Sequence, residues 1–110
     1  WDVIGIGTTA TTAIDVDVKL GNETGTSDGL HRGTATTKTW SNGTAASATQ
    51  IELSKTFTSA SPRAHAIAES GLFNSTTVAG SGMLAHKEFT GVALATSDSI
   101  TITWTFIVGN

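Results

Sequence analysis

The last stretch of the chain constrains the fold most. From Ser99 to Val108, the residues Ile100, Ile102, Trp104, Phe106 and Val108 take alternate positions, and Thr101, Thr103 and Thr105 fill the gaps. A period of two puts the first set on one face of an extended strand and the second set on the other. Two more segments repeat the pattern. Ala13 to Leu20 sets Ile14, Val16, Val18 and Leu20 against Asp15, Asp17 and Lys19. Gln50 to Thr58 sets Ile51, Leu53 and Phe57 against Glu52, Ser54 and Thr56, with Lys55 on the apolar face, where it must snorkel or mark an exposed strand end.

Composition points the same way. The chain has 21 Thr and 11 Ser among 110 residues, while charged residues make up 14 %, against roughly 25 % in an average soluble domain. Thr, Val and Ile suit a pleated sheet, and the usual helix-surface formers are scarce. Asp2 to Gly7, Arg32 to Trp40, Met83 to Phe89 and Val92 to Ala95 read as further strands. Ala64 to Phe73 is ambiguous: its Ala content allows a helical turn, and Gly71 favours a strand. Thr8 to Thr12, Gly21 to Gly29, Ser41 to Thr44 and Asn74 to Gly82 read as loops or turns, and Ser61-Pro62-Arg63 breaks the chain at its one Pro. With no helix-length crossover, the expectation is one domain over residues 1–110. It is an antiparallel β-sandwich or jelly roll of about seven or eight strands. Its core is expected from Ile51, Leu53, Phe57, Leu72, Phe73, Phe89, Ile100, Ile102, Trp104 and Phe106. The chain begins at Trp1 rather than Met, which leaves two readings open: an N-terminal piece was removed, or the sequence begins inside a longer chain.

The net charge of −3 with only 6 Lys and Arg gives no footprint for a phosphate backbone, which argues against nucleic-acid binding. No window approaches the roughly 20 apolar residues of a membrane-spanning helix. The absence of Cys removes disulfides, Cys-based zinc sites and thiol catalysis. His31, His65 and His86 have no metal-pair spacing and read as surface or hydrogen-bonded side chains. Gly5-Ile6-Gly7 lacks the third Gly of a dinucleotide fingerprint, and Gly80-Ser81-Gly82 is a turn. Asp15, Asp17, Glu23 and Asp28 concentrate oxygen ligands of the kind Ca²⁺ takes, but the spacing is not that of an EF-hand. The first two are more simply the solvated face of a strand. The expectation is therefore no enzyme activity, no metal and no cofactor. Trp1, Trp40 and Trp104 are candidates for a sugar-stacking platform, Trp40 being the ring expected at the surface. Asn22, Asn42 and Asn74 each head an Asn-x-Thr acceptor sequon and are candidate glycosylation sites.

Several phrases occur in one order: "IGIGTTAT", "GLHRGTATT", "IELSKTFT", "AIAESGLFN", "MLAHKEF" and "DSITITWT". Across nearly its whole length the chain resembles a family of small structural proteins of tailed bacterial and archaeal viruses, tail-fibre or capsid-associated. Glu69 to Asn74 is the most specific phrase. Ser70 stands where the family usually has an apolar residue, and His86-Lys87 follows Leu-Ala where Arg is usual. The resemblance implies a virion building block, extracellular, whose partners are copies of itself and other virion proteins, with a host-surface glycan as a further candidate. Two alternatives stand beside it: a subunit of a surface filament joined by β-strand addition, and a carbohydrate-binding module. The final strand carries neither charge nor Pro, so it must be central in its sheet or paired with another chain.

Overall fold

The computed structural model describes residues 1–9, 20–25, 29–42, 49–60, 65–77 and 82–108, with backbone alone for 40–42, 49 and 108. Among them, seven strands follow in chain order: β1 (Val3–Gly7), β2 (Gly33–Thr34), β3 (Thr37–Asn42), β4 (Thr49–Thr58), β5 (His65–Phe73), β6 (Met83–Leu94) and β7 (Ser99–Val108). They form two antiparallel sheets, ordered β2-β1-β5-β6 and β3-β4-β7, which pack face to face. The fold is a β-sandwich, as the alternating segments predict.

The inner faces meet along Ile4 and Ile6 of β1, Ile67 and Leu72 of β5, and Leu53 and Phe57 of β4, with Leu30 and Ala35 from the connections. Of the ten expected core residues, Leu53, Phe57, Leu72 and Phe73 are buried. Ile51, Phe89, Ile100, Ile102, Trp104 and Phe106 are only partly covered and flank the centre. For the five on β6 and β7 the correction has a physical cause: β1 and β5 lie inside their sheet and are covered on both faces, whereas β6 and β7 are edge strands; Ile51 lies near the start of the central strand β4. Phe73 belongs to a second small core on the outer face of the four-stranded sheet, with Val3, Leu20 and Met83.

The strand boundaries differ from the sequence reading in several places, one being Ser41 and Asn42, which end β3 rather than begin a turn. Arg32 to Trp40 is not one strand but two, in different sheets. The Ala35 N–H donates to the Asp2 carbonyl and the Thr36 N–H to the Ser54 carbonyl, so the chain passes from one sheet to the other between successive residues. Met83 to Leu94 is one strand rather than two. From Ile67 to Glu69 β5 advances two residues while its partners on β6 run from Val92 to Glu88. Phe89, Thr90 and Gly91 thus stand opposite Ala68 alone, two residues more than a regular ladder holds, and β6 bulges there. The ambiguous Ala64–Phe73 segment is strand from His65 onward. The alternating segment Ala13–Lys19 lies outside the described residues, and Leu20 at its end is buried.

Candidate functional site

Two places in the sandwich concentrate polar chemistry or unfilled apolar surface. The first lies on the outer face of the four-stranded sheet. Glu69 projects there from the middle of β5 and is fully buried. Its carboxyl accepts backbone N–H bonds from Gly21 (3.2 Å) and Asn22 (3.0 Å), and His86 Nε2 lies 3.2 Å from Oε2. Beside it, the Arg32 guanidinium donates from Nε to Glu23 Oε1 at 2.7 Å and from Nη2 to Oε2 at 2.9 Å. Its flat face lies 3.5 Å from the centroid of the Phe73 ring. β1 makes room for this layer with glycines. A Cβ on Gly5 would stand 2.8 Å from Glu23 Oε1 and from Phe73 Cε2, and one on Gly7 would collide with Glu69 Oε1 and stand 2.7 Å from the Asn22 carbonyl. The pairing of Gly5 with Gly71 and of Gly7 with Glu69 keeps these positions in register.

Every polar group named in this layer has a protein partner. Both Glu23 oxygens accept from Arg32, and Glu23 is the one of the four acids weighed for Ca²⁺ that the structure describes. Asp15, Asp17 and Asp28 lie outside the described residues. Among the described residues, no three His, Asp or Glu are grouped to hold a metal. The layer fastens the Leu20–Thr24 segment to the sheet, helped by the Thr24 N–H donating to the Ile6 carbonyl.

The second place is the side of the sandwich where β6 and β7 are the edges of their sheets. A short turn joins them. Within it the Asp98 N–H donates to the Ala95 carbonyl, Asp98 Oδ2 accepts from the Ala95 N–H, and Ser97 takes a positive φ of 72°. Between the two strands the sheets part, leaving a cleft of about 200 Å³ walled by Phe89, Ile102 and Trp104, with Ser70 at its floor and Lys87 on its β6 side. Trp104 stacks against Phe106 at 6.2 Å and donates its indole N–H to Ser70 Oγ at 3.1 Å, tying the sheets together across the cleft. Ser70 and Lys87 pair directly across the ladder. These are the residue types of a Ser–Lys nucleophile, but the Ser70 hydroxyl donates to the Gly5 carbonyl at 2.9 Å and accepts from Trp104. Both bonds commit the hydroxyl to linking β1, β5 and β7.

The other sequence candidates are scattered. Asn22 is exposed and donates its amide to Thr8 Oγ1 at 2.7 Å. Asn74 is exposed at the end of β5 and accepts from the Gly82 N–H. Asn42 is the last residue of β3. His31 is exposed, and His86 is a buried hydrogen-bonded partner rather than a ligand. Trp1 is 55 % exposed and lies against Gly82, far in sequence from Trp104, which is half-buried on its strand's inner face. The Trp40 ring lies outside the described residues. Lys55 runs its stem over Gly33 and sets its ammonium 5.2 Å from the Phe57 ring, as a snorkelling Lys does. Sequence reasoning missed Glu69 and the cleft. The signal for Glu69 was a lone acid inside Ala66 to Phe73, a run whose only other polar side chain is Ser70.

No family model, curated protein or solved structure matches this chain.

Proposed function

We propose that this chain is a non-enzymatic structural domain of a virion, capsid decoration or tail component, that works by repetitive assembly outside the cell. The observation that carries the reading is β7: ten residues with neither a charge nor Pro, at a sheet edge among the described residues, and with an inner face of Ile100, Ile102, Trp104 and Phe106 that its own sandwich covers only in part. Edges of this kind are aggregation sites unless another chain pairs with them. An assembling protein turns that liability into its contact. A Thr-rich outer face suits the same task, because neutral hydroxyls are cheaper to desolvate than charges. The virion setting rests on the sequence phrases, of which Glu69–Asn74 supplies both the buried Glu69 and the start of the β5–β6 connection.

Strand addition in a surface filament draws on the same edge and is the second reading. Mass spectrometry of the purified native particle separates the two. Capsid and tail proteins alongside this chain support the virion reading, and a particle built from this chain alone overturns it in favour of the filament. A chain that sediments as a monomer at high concentration, with no assembly in its native source, overturns both.

A further inference from the structure

We infer that β7 pairs edge to edge with β7 of a second copy, antiparallel, about a two-fold axis at Thr103. This rests on the assembly reading above and names its contact.

Among the described residues the two sheets have four edges, and β7 is the unprotected one. β2 is two residues long. β3 carries Lys38, whose ammonium bonds Asp2 at 2.7 Å across to the other sheet. β6 bears His86, Lys87 and Glu88, turns Lys87 toward the cleft, and departs from regular register twice. Shortness, charges, an inward-turned Lys and bulges are the devices by which proteins protect edges. β7 has none of them.

The backbone phase of β7 follows from the bonds at the ends of β4. The Ser54 carbonyl accepts from Thr36, on the β3 side, and the Ser59 N–H donates to Asp98, on the β7 side. Even-numbered residues of β4 therefore face β3, and odd-numbered ones face β7. Since Leu53 pairs with Trp104 and Lys55 with Ile102, the even residues of β7 use their backbone groups on β4. Ser99, Thr101, Thr103, Thr105 and Ile107 turn theirs outward, where no strand among the described residues pairs with them.

That phase is self-complementary. With the axis at Thr103, the two Thr103 residues exchange both backbone bonds, as do Thr101 with Thr105 and Ser99 with Ile107 of the other copy. On the inner face Ile102 then stands opposite Trp104, and Ile100 opposite Phe106, the aromatic and β-branched pairs that stabilise sheets. On the outer face Thr meets Thr, and the structure already pairs hydroxyls in this way at Thr56–Thr101, 2.8 Å apart. An uncharged strand meeting its own copy brings no unpaired charge into the contact, whereas a charged partner strand would leave its charge desolvated beside apolar walls. The two three-stranded sheets become one continuous sheet, and the partner's inner-face side chains extend the half-covered row over the mouth of the cleft.

The chain has no Cys, so one introduced Cys reports alone. Directly opposed, hydrogen-bonded residues sit about 5.5 Å apart at Cα, within reach of a disulfide. Thr103→Cys is expected to form a disulfide-linked dimer under mild oxidation, at least tenfold faster than the exposed loop variant Thr76→Cys. Thr103→Pro removes only an outward N–H, so it should keep the far-ultraviolet spectrum of the wild type and sediment as a smaller species. If Thr103→Cys links no faster than Thr76→Cys while the wild type still assembles, the β7 pairing is wrong and the assembly reading stands. If the wild type is a monomer at every concentration, both fall. Loss of the wild-type spectrum in Thr103→Pro would show that Thr103 serves β4 instead, and would overturn the proposed phase.

Discussion

Glu69 occupies the least forgiving position in the molecule. A carboxyl with no solvent contact is tolerable only when its oxygens are used, and here two backbone N–H groups and one imidazole use them. Glu69→Ala takes the carboxyl away from the Gly21 and Asn22 donors and from His86 at once. Removing one partner of a buried polar cluster costs about 3–5 kcal/mol, so the denaturant midpoint should fall by a large fraction of the whole stability. A change within 1 kcal/mol would mean the cluster is not a fastener. Asp2 and Lys38 sit at the other extreme. Their 2.7 Å contact joins the start of β1 to β3, with both side chains about half exposed. The Lys38 hydrogen bond, more than its charge, holds the Asp2 carboxyl below the usual carboxylate value. A lowered value in the folded state stabilises the fold above the unfolded-state value, and that contribution is lost as pH falls through the folded-state value. An exposed pair of this kind contributes at most about 1 kcal/mol. Lys38→Met should return the Asp2 titration, followed by NMR, toward the usual carboxylate value and flatten the acid limb of stability slightly. An unmoved titration would remove Lys38 as the cause.

At the scale of the strand, legibility followed solvent. β4 and β7 were readable because each shows one face to water, so apolar and polar residues alternate. β5 was ambiguous because the sheet and the Leu20–Thr24 segment bury it on both sides, which erases the alternation and leaves a run of small and apolar residues. The change of sheet between β2 and β3 was illegible for a different reason. The backbone exchanges one bonding partner for another at Ala35 and Thr36 without reversing direction, so no Gly or Pro marks it. The gap read at Thr90-Gly91 was real as a bulge and wrong as a strand end. The fastening layer escaped sequence reasoning because it joins Glu23, Arg32, Glu69 and His86 from four separate segments. The same view of exposure ranks core substitutions. Phe57, 2 % exposed at the centre, should lose about 3–5 kcal/mol on change to Ala. Trp104, half-covered at the cleft, should lose less in the isolated domain, and more once copies associate. Equal losses at both sites in dilute, monomeric protein would contradict the open side of the sandwich.

For the whole molecule, the open side makes stability a matter of concentration. A domain of 110 residues has little core to spare, and this one leaves Ile100, Ile102, Trp104 and Phe106 half-covered along an edge that no strand among the described residues pairs with. If a second copy completes that edge, the free energy of pairing is linked to folding, because only folded chains present β7 in register. Each tenfold rise in concentration above the dissociation constant then adds about 1.4 kcal/mol per dimer, or about 0.7 kcal/mol per chain. For a domain of this size 1 kcal/mol moves the melting temperature by roughly 4–8 °C. The wild type should therefore melt about 3–6 °C higher for every tenfold increase in concentration, and Thr103→Pro should melt at one temperature throughout. Calorimetry over three decades of concentration checks this. A wild-type melting temperature independent of concentration, in a protein that remains soluble, would mean that the sandwich stands alone with its edge uncovered, and that some feature other than pairing keeps β7 from aggregating.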